Sequence, residues 1–133
     1  MISLMGPGDE VFSMPLDQKD RQATFEAPAG EPLEVWVKFD GSGYENLKYG
    51  YHVPFDLFLT IEDGSTEKVL TCDQSTSSFQ RTEFRNPIYV HFGGCDQPAG
   101  KGRPLTIRAR RQRRQDAPAA YVVENVSLRL SKP

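Results

Sequence analysis

An all-β fold, an antiparallel β-sandwich or jelly roll of seven to nine strands, is what this sequence predicts, and three observations predict it. Apolar residues alternate with polar ones at period two in several separate windows, the mark of strands with one buried face. No window carries the apolar stripe of an amphipathic helix. The 11 glycines and 10 prolines fall between the alternating windows, where turns are needed.

The elements follow in chain order. Residues 1–20 are rich in Gly, Pro and Asp and read as a flexible arm able to dock one short edge strand, ahead of a single domain over 21–133. Gln22 to Glu26 alternates, with Ala23 and Phe25 on one side. The strongest strand is Leu33 to Asp40: Leu33, Val35, Val37 and Phe39 share one face, and Glu34, Trp36, Lys38 and Asp40 the other. Asp40-Gly41-Ser42-Gly43 has the chemistry of a turn. A connector rich in Tyr leads to a strand over about Tyr51 to Glu62, with Val53, Phe55, Leu57, Leu59 and Ile61 inward and Pro54 confined to an edge, a bulge or the strand start. Glu62-Asp63-Gly64-Ser65 makes a hairpin turn into a partner strand, Lys68 to Cys72. Phe79 to Phe84 alternates weakly, and Ile88, Val90 and Phe92 mark a short buried strand. After a long turn, Leu105, Ile107 and Ala109 line one face of a strand, and the following residues, Gln112 to Ala119, close a last hairpin. The final strand, Ala120 to Leu130, shows Val126, Leu128 and Leu130 inward. Tyr121 and Val123 fall out of phase with them, which predicts a bulge near Glu124.

Composition narrows the function. A chain of 133 residues is one domain. A net charge of −2 argues against generic nucleic-acid binding, although Arg108, Arg110, Arg111, Arg113 and Arg114 crowd one segment. No stretch reaches the ~20 apolar residues that cross a bilayer as a helix. Cys72 and Cys95 each begin the tripeptide Cys-Asp-Gln, and two cysteines allow one intramolecular pairing. Their disulfide would close a loop of about two dozen residues and stabilise the fold by about 3 kcal/mol in the chain-entropy model. It would also place the protein in an oxidising compartment, as a mature periplasmic or extracellular form without its signal peptide.

Candidate chemistry is sparse. Cys72, Cys95, His52 and His91 are suitable zinc ligands but lack the close spacing of a preassembled tetrahedral site, and parity makes both histidines exposed; no metal is assigned. Gly41-Ser42-Gly43 lacks the surroundings of a nucleophile, and no carboxylate pair is singled out, so no enzyme is expected. Asp40-Gly41-Ser42 and Asp63-Gly64-Ser65 offer oxygen ligands for a structural calcium, against the commonness of Asp-Gly in turns. Two features remain. Trp36, Tyr44, Tyr49 and Tyr51 either form an exposed aromatic face for a partner protein or a glycan, or lie under a loop or the arm. The arginines from Arg108 to Arg114 either bind an acidic partner or simply solvate a hairpin tip.

Three Pro- or Gly-led segments, Pro54 to Ile61, Pro87 to Phe92 and Gly102 to Arg108, resemble strands of small bacterial periplasmic lipoproteins with jelly-roll domains, a group that includes toxin-immunity proteins. That resemblance covers about a third of the chain, lacks the lipobox cysteine and carries no functional residue with it. It implies a non-enzymatic module, an immunity protein or inhibitor that occludes a toxin or effector, and the aromatic and arginine residues read above are the candidate contacts. A carbohydrate-binding module is the alternative.

Overall fold

The computed structural model describes residues 8–27, 30–42, 54–62, 67–72, 87–97, 104–115, 117 and 119–133, with the side chains of 67–72 left out of the description. Tyr44, Tyr49, Tyr51, His52, the Asp63 turn and the expected strand at Phe79 lie outside the described residues.

Eight strands are described: β1 Glu10–Pro15, β2 Arg21–Glu26, β3 Glu34–Ser42, β4 Phe55–Glu62, β5 Glu67–Cys72, β6 Ile88–His91, β7 Pro104–Arg113 and β8 Val122–Ser131. A 3₁₀ turn, Gly93–Cys95, follows β6. The strands form two four-stranded sheets, β1-β8-β3-β6 and β2-β7-β4-β5, and every pairing is antiparallel. Among the described strands, six of the seven successive steps pass from one sheet to the other, and β4 and β5 are neighbours in the same sheet. This is an all-β sandwich. Among the described residues no helix is long and apolar enough to cross a membrane.

The inward faces read as alternation requires. Val35, Val37 and Phe39 from β3 meet Phe55, Leu57 and Leu59 from β4, with Ile88, Val90, Ile107, Leu128 and Leu130 filling the layer between the sheets. Phe39 and Phe55 pack edge to face across it, ring centroids 5.7 Å apart.

Three expectations need correction or sharpening. The segment before Arg21 does dock a short edge strand, and over residues 10–16 the docking makes it part of the sandwich. β1 pairs with β8 along most of its length, Leu16 is fully buried, and its N–H donates to the Val126 carbonyl at 3.0 Å. Two buried apolar side chains, Met14 and Leu16, outweigh the local Gly and Pro content. Second, Asp40-Gly41-Ser42 continues β3 instead of turning. Gly41 points inward, where an added Cβ would lie 3.2 Å from the Phe39 ring and 3.3 Å from Ile88. The glycine is there for close packing in a strand. Third, β7 and β8 belong to different sheets, so the segment after Arg113 is an arch between sheets and not a hairpin.

The bulge in the last strand is present. Lys38 pairs with Ser127 but Asp40 pairs with Glu124, so β8 holds one extra residue. Asn125 takes it up with φ 54°, a left-handed conformation that Asn tolerates better than most residues, and its side-chain amide donates to Asp40 at 2.9 Å. Both Tyr121 and Val126 thereby reach the core.

Candidate functional site

Alternation also decides what the outer faces of the two sheets carry. On the β1-β8-β3-β6 sheet, the outward residues of β3 are Glu34, Trp36, Lys38 and Asp40. Trp36 lies directly between His91 of β6 and Arg129 of β8 in cross-strand register. It keeps only 3% of its surface exposed. The sequence places Trp36 on the outer face correctly, but the exposed aromatic platform is not what it forms. A ring flanked on both sides by long side chains is covered even on the solvent side of a sheet.

The cover is specific. The His91 imidazole stacks on the indole, with ring centroids 4.8 Å apart and planes within 10°. The Trp36 indole N–H donates to Glu34 Oε1 at 3.0 Å. Arg129 donates to the Gly8 carbonyl at 2.7 Å and to Ser131 Oγ at 2.9 Å, fixing it beside β1. His91 is thus half-covered rather than exposed.

Asp96 completes this group. It follows the 3₁₀ turn and lies over the start of β3, where Asp96 Oδ1 accepts the Val35 N–H at 2.8 Å. His91 Nε2 sits 3.0 Å from Asp96 Oδ1 and 2.9 Å from Oδ2, and since a carboxylate only accepts, that nitrogen carries the proton. The ligand-type atoms of Glu34, His91 and Asp96 all lie within 4.8 Å of one another. Sequence reasoning weighed His91 for zinc beside the cysteines and missed this set. Its members are 57 and 5 residues apart in sequence (34, 91, 96), and only the β3–β6 register joins them.

The second Cys-Asp-Gln tripeptide is where the turn is locked. Cys95 is fully buried, and among the described residues no cysteine is free. The Gln97 N–H donates to the Leu33 carbonyl at 2.8 Å and the Leu33 N–H returns a bond at 3.0 Å, while the Gln97 amide donates to the Cys95 carbonyl at 2.8 Å. Backbone of β5, whose last residue is Cys72, packs against this same turn.

The β2-β7-β4-β5 sheet carries the arginines, and the arginine hairpin expected from the sequence becomes a central strand. Outward from β7 point Arg108, Arg110 and Gln112; Arg111 points the other way. Arg108 is exposed and held by the neutral Gln22, donating to its side-chain oxygen at 3.2 Å. Arg110 lies over Phe58 of β4, its guanidinium carbon 4.1 Å from the ring centroid, and bonds Gln112 at 3.2 Å. Its nearest carboxylate among the described residues, Asp20, is 3.8 Å away. Thr24 and Thr106, bonded to each other at 3.0 Å, continue the polar face beside them.

The other arginines are structural. Arg111 caps the core end, donating to the Leu16 carbonyl at 3.1 Å and approaching the Phe55 ring at 5.8 Å. Burial lowers its pKa from the ordinary arginine value, with Asp17 opposing that shift and Arg113 adding to it. Arg114 pairs with Asp56 at 2.9 Å, and Arg113 is also engaged. Of the five arginines, Arg108 and Arg110 are therefore the two presented on an open face.

No protein-family model matches the chain, and no curated protein is significantly similar to it.

Proposed function

We propose that the protein is a non-enzymatic binding module of the immunity-protein or inhibitor type, whose contact surface is the outer face of the β2-β7-β4-β5 sheet and which acts by occlusion. The observation that carries this reading is Arg110 stacked on Phe58 beside the exposed Arg108. Arg and aromatic side chains are the residues that most often dominate a protein interface, and a guanidinium already held over a ring loses little freedom on docking. An acidic partner surface complements it, because Arg108 has no carboxylate in ion-pair range among the described residues. The glycan alternative leaned on an exposed Trp36, and its burial removes that ring as a sugar platform.

The test is affinity capture from native extracts with the wild-type protein and with Arg108→Glu/Arg110→Glu. The expected result is a discrete acidic partner retained by the first and lost by the second, with unchanged far-UV circular dichroism. A partner held equally well by both would overturn the assignment of this face.

Two finer points belong to the same reading. The strand pairs nest as β1–β8, β2–β7, β3–β6 and β4–β5, the order expected when one long antiparallel ribbon is wound into a jelly roll. We also infer that Cys95 is joined to Cys72. Support comes from the absence of a free thiol at Cys95, from the packing of β5 against the turn that holds it, and from there being 2 cysteines in the chain. Such a bond fits periplasmic or extracellular residence. Thiol titration of the denatured, unreduced protein should find no reactive thiol; two would remove both the bond and the compartment.

A further inference from the structure

We propose that Glu34, His91 and Asp96 form a binding site for a divalent transition metal such as zinc, on the sheet face opposite the arginines and independent of them. An imidazole nitrogen and two carboxylates are the ligand chemistry that borderline divalent ions select, and here all three donor atoms fall within 4.8 Å of one another. Metal–ligand bonds of about 2.0–2.2 Å put donors roughly 3–3.6 Å apart, so a small rotation of the Glu34 side chain closes the set.

Each ligand is oriented by a neighbour outside the set, Trp36 serving two of them, as metal ligands are. Glu34 is steered by the Trp36 indole N–H, and Asp96 by the Val35 backbone N–H. The His91 ring is held parallel to Trp36 at 4.8 Å. The three ligands come from the start of β3, the end of β6 and the residue after the 3₁₀ turn, so their separation is set by strand register rather than by a loose loop. Two carboxylates beside one imidazole favour a cation, which would stand where the His91–Asp96 hydrogen bond now does. The three protein ligands leave at least one coordination position for water or for a group from a partner.

Trp36 is the chain's 1 tryptophan and touches two of the three ligands, which makes it a built-in reporter. Titration with cobalt(II) is expected to quench its fluorescence saturably and to give visible d–d absorption. Zinc should displace the cobalt and raise the melting temperature, whereas calcium should do neither. His91→Phe keeps a ring on Trp36 and removes the nitrogen; it should lose the quenching, the absorption and the zinc-induced shift. Glu34→Gln keeps the acceptor for the indole N–H and should weaken zinc binding at least tenfold, since outer partners alone are worth about 10–100-fold. The proposal fails if wild-type protein shows no saturable cobalt or zinc response, or if the response persists in His91→Phe. Should His91→Phe not fold, an unchanged zinc affinity in Glu34→Gln overturns it equally. Partner capture through Arg108 and Arg110 is read in the metal-free protein, so either result can fail without the other.

Discussion

Phe39→Ala is expected to cost about 3–5 kcal/mol, the range for removing a fully enclosed aromatic ring and leaving a cavity behind. Phe39 is 1% exposed and stands at the centre of the layer between the sheets. Its ring meets Phe55 edge to face and fits over Gly41, where even a Cβ would crowd it at 3.2 Å. Neighbours in β-strands are fixed by ladder hydrogen bonds on both sides, as β3 is by β8 and β6, so they relax little into the space. Domains are commonly stable by only about 5–15 kcal/mol, so the loss is a large fraction of the whole. Urea unfolding followed by circular dichroism should show the midpoint fall steeply with m unchanged, and melting should drop by on the order of 10 °C. A loss below about 1 kcal/mol would mean that Phe39 is not in a close-packed core.

Removal of residues 1–16 is expected to leave no stably folded domain. An arm could be cut away at little cost, but this segment is a strand with a buried end. β1 contributes ladder pairs from Glu10↔Ser131 to Pro15↔Ser127, and its loss exposes the open edge of β8. Pro15 sits at the end of that edge strand, a position where a missing N–H is tolerated. Met14 and Leu16 leave the core, and truncating a buried Leu or Met alone costs about 2–5 kcal/mol. The stacked pair Phe12–Phe25, centroids 4.6 Å apart, ties β1 to β2 and would be lost too. The Arg111 guanidinium would also lose the Leu16 carbonyl that accepts its proton. Near-UV circular dichroism and amide dispersion by NMR measure the outcome, with Met14→Ala/Leu16→Ala as a milder companion. A truncated protein that melted at the wild-type temperature would restore the arm.

The fold class was legible because burial on one face of a strand writes itself into sequence at period two. Leu33 to Phe39, Phe55 to Ile61 and Ile88 to Phe92 carry that signal, and each is in the core. The break in phase between Val123 and Val126 announced the bulge that Asn125 now supplies. The segment that holds β1 was legible as a dockable edge strand but not as a core element, because its apolar members are few and its Gly and Pro content resembles a linker. Gly41 was misread for a related reason: Asp-Gly-Ser has the local chemistry of a turn, and only the rings around it show that the glycine makes room.

The candidate sites were legible only in part. Alternation correctly put Trp36, His91, Arg108 and Arg110 on outer faces. It could not say which outward residues are covered, because that depends on the neighbouring strand. Trp36 is buried by His91 and Arg129, which approach it from strands far away in sequence. Arg110 finds Phe58 for the same reason.

By itself, then, the sequence determined the sandwich, the inward residues of most strands, the bulge and the outward placement of Arg108 and Arg110, all properties carried by residues one or two positions apart. The tertiary structure alone decided that β1 completes a sheet, that the arginines lie on a central strand, and that Glu34, His91 and Asp96 converge. Those outcomes depend on which strands pair and in what register, and register is settled by the summed packing of two whole faces rather than by any local stretch.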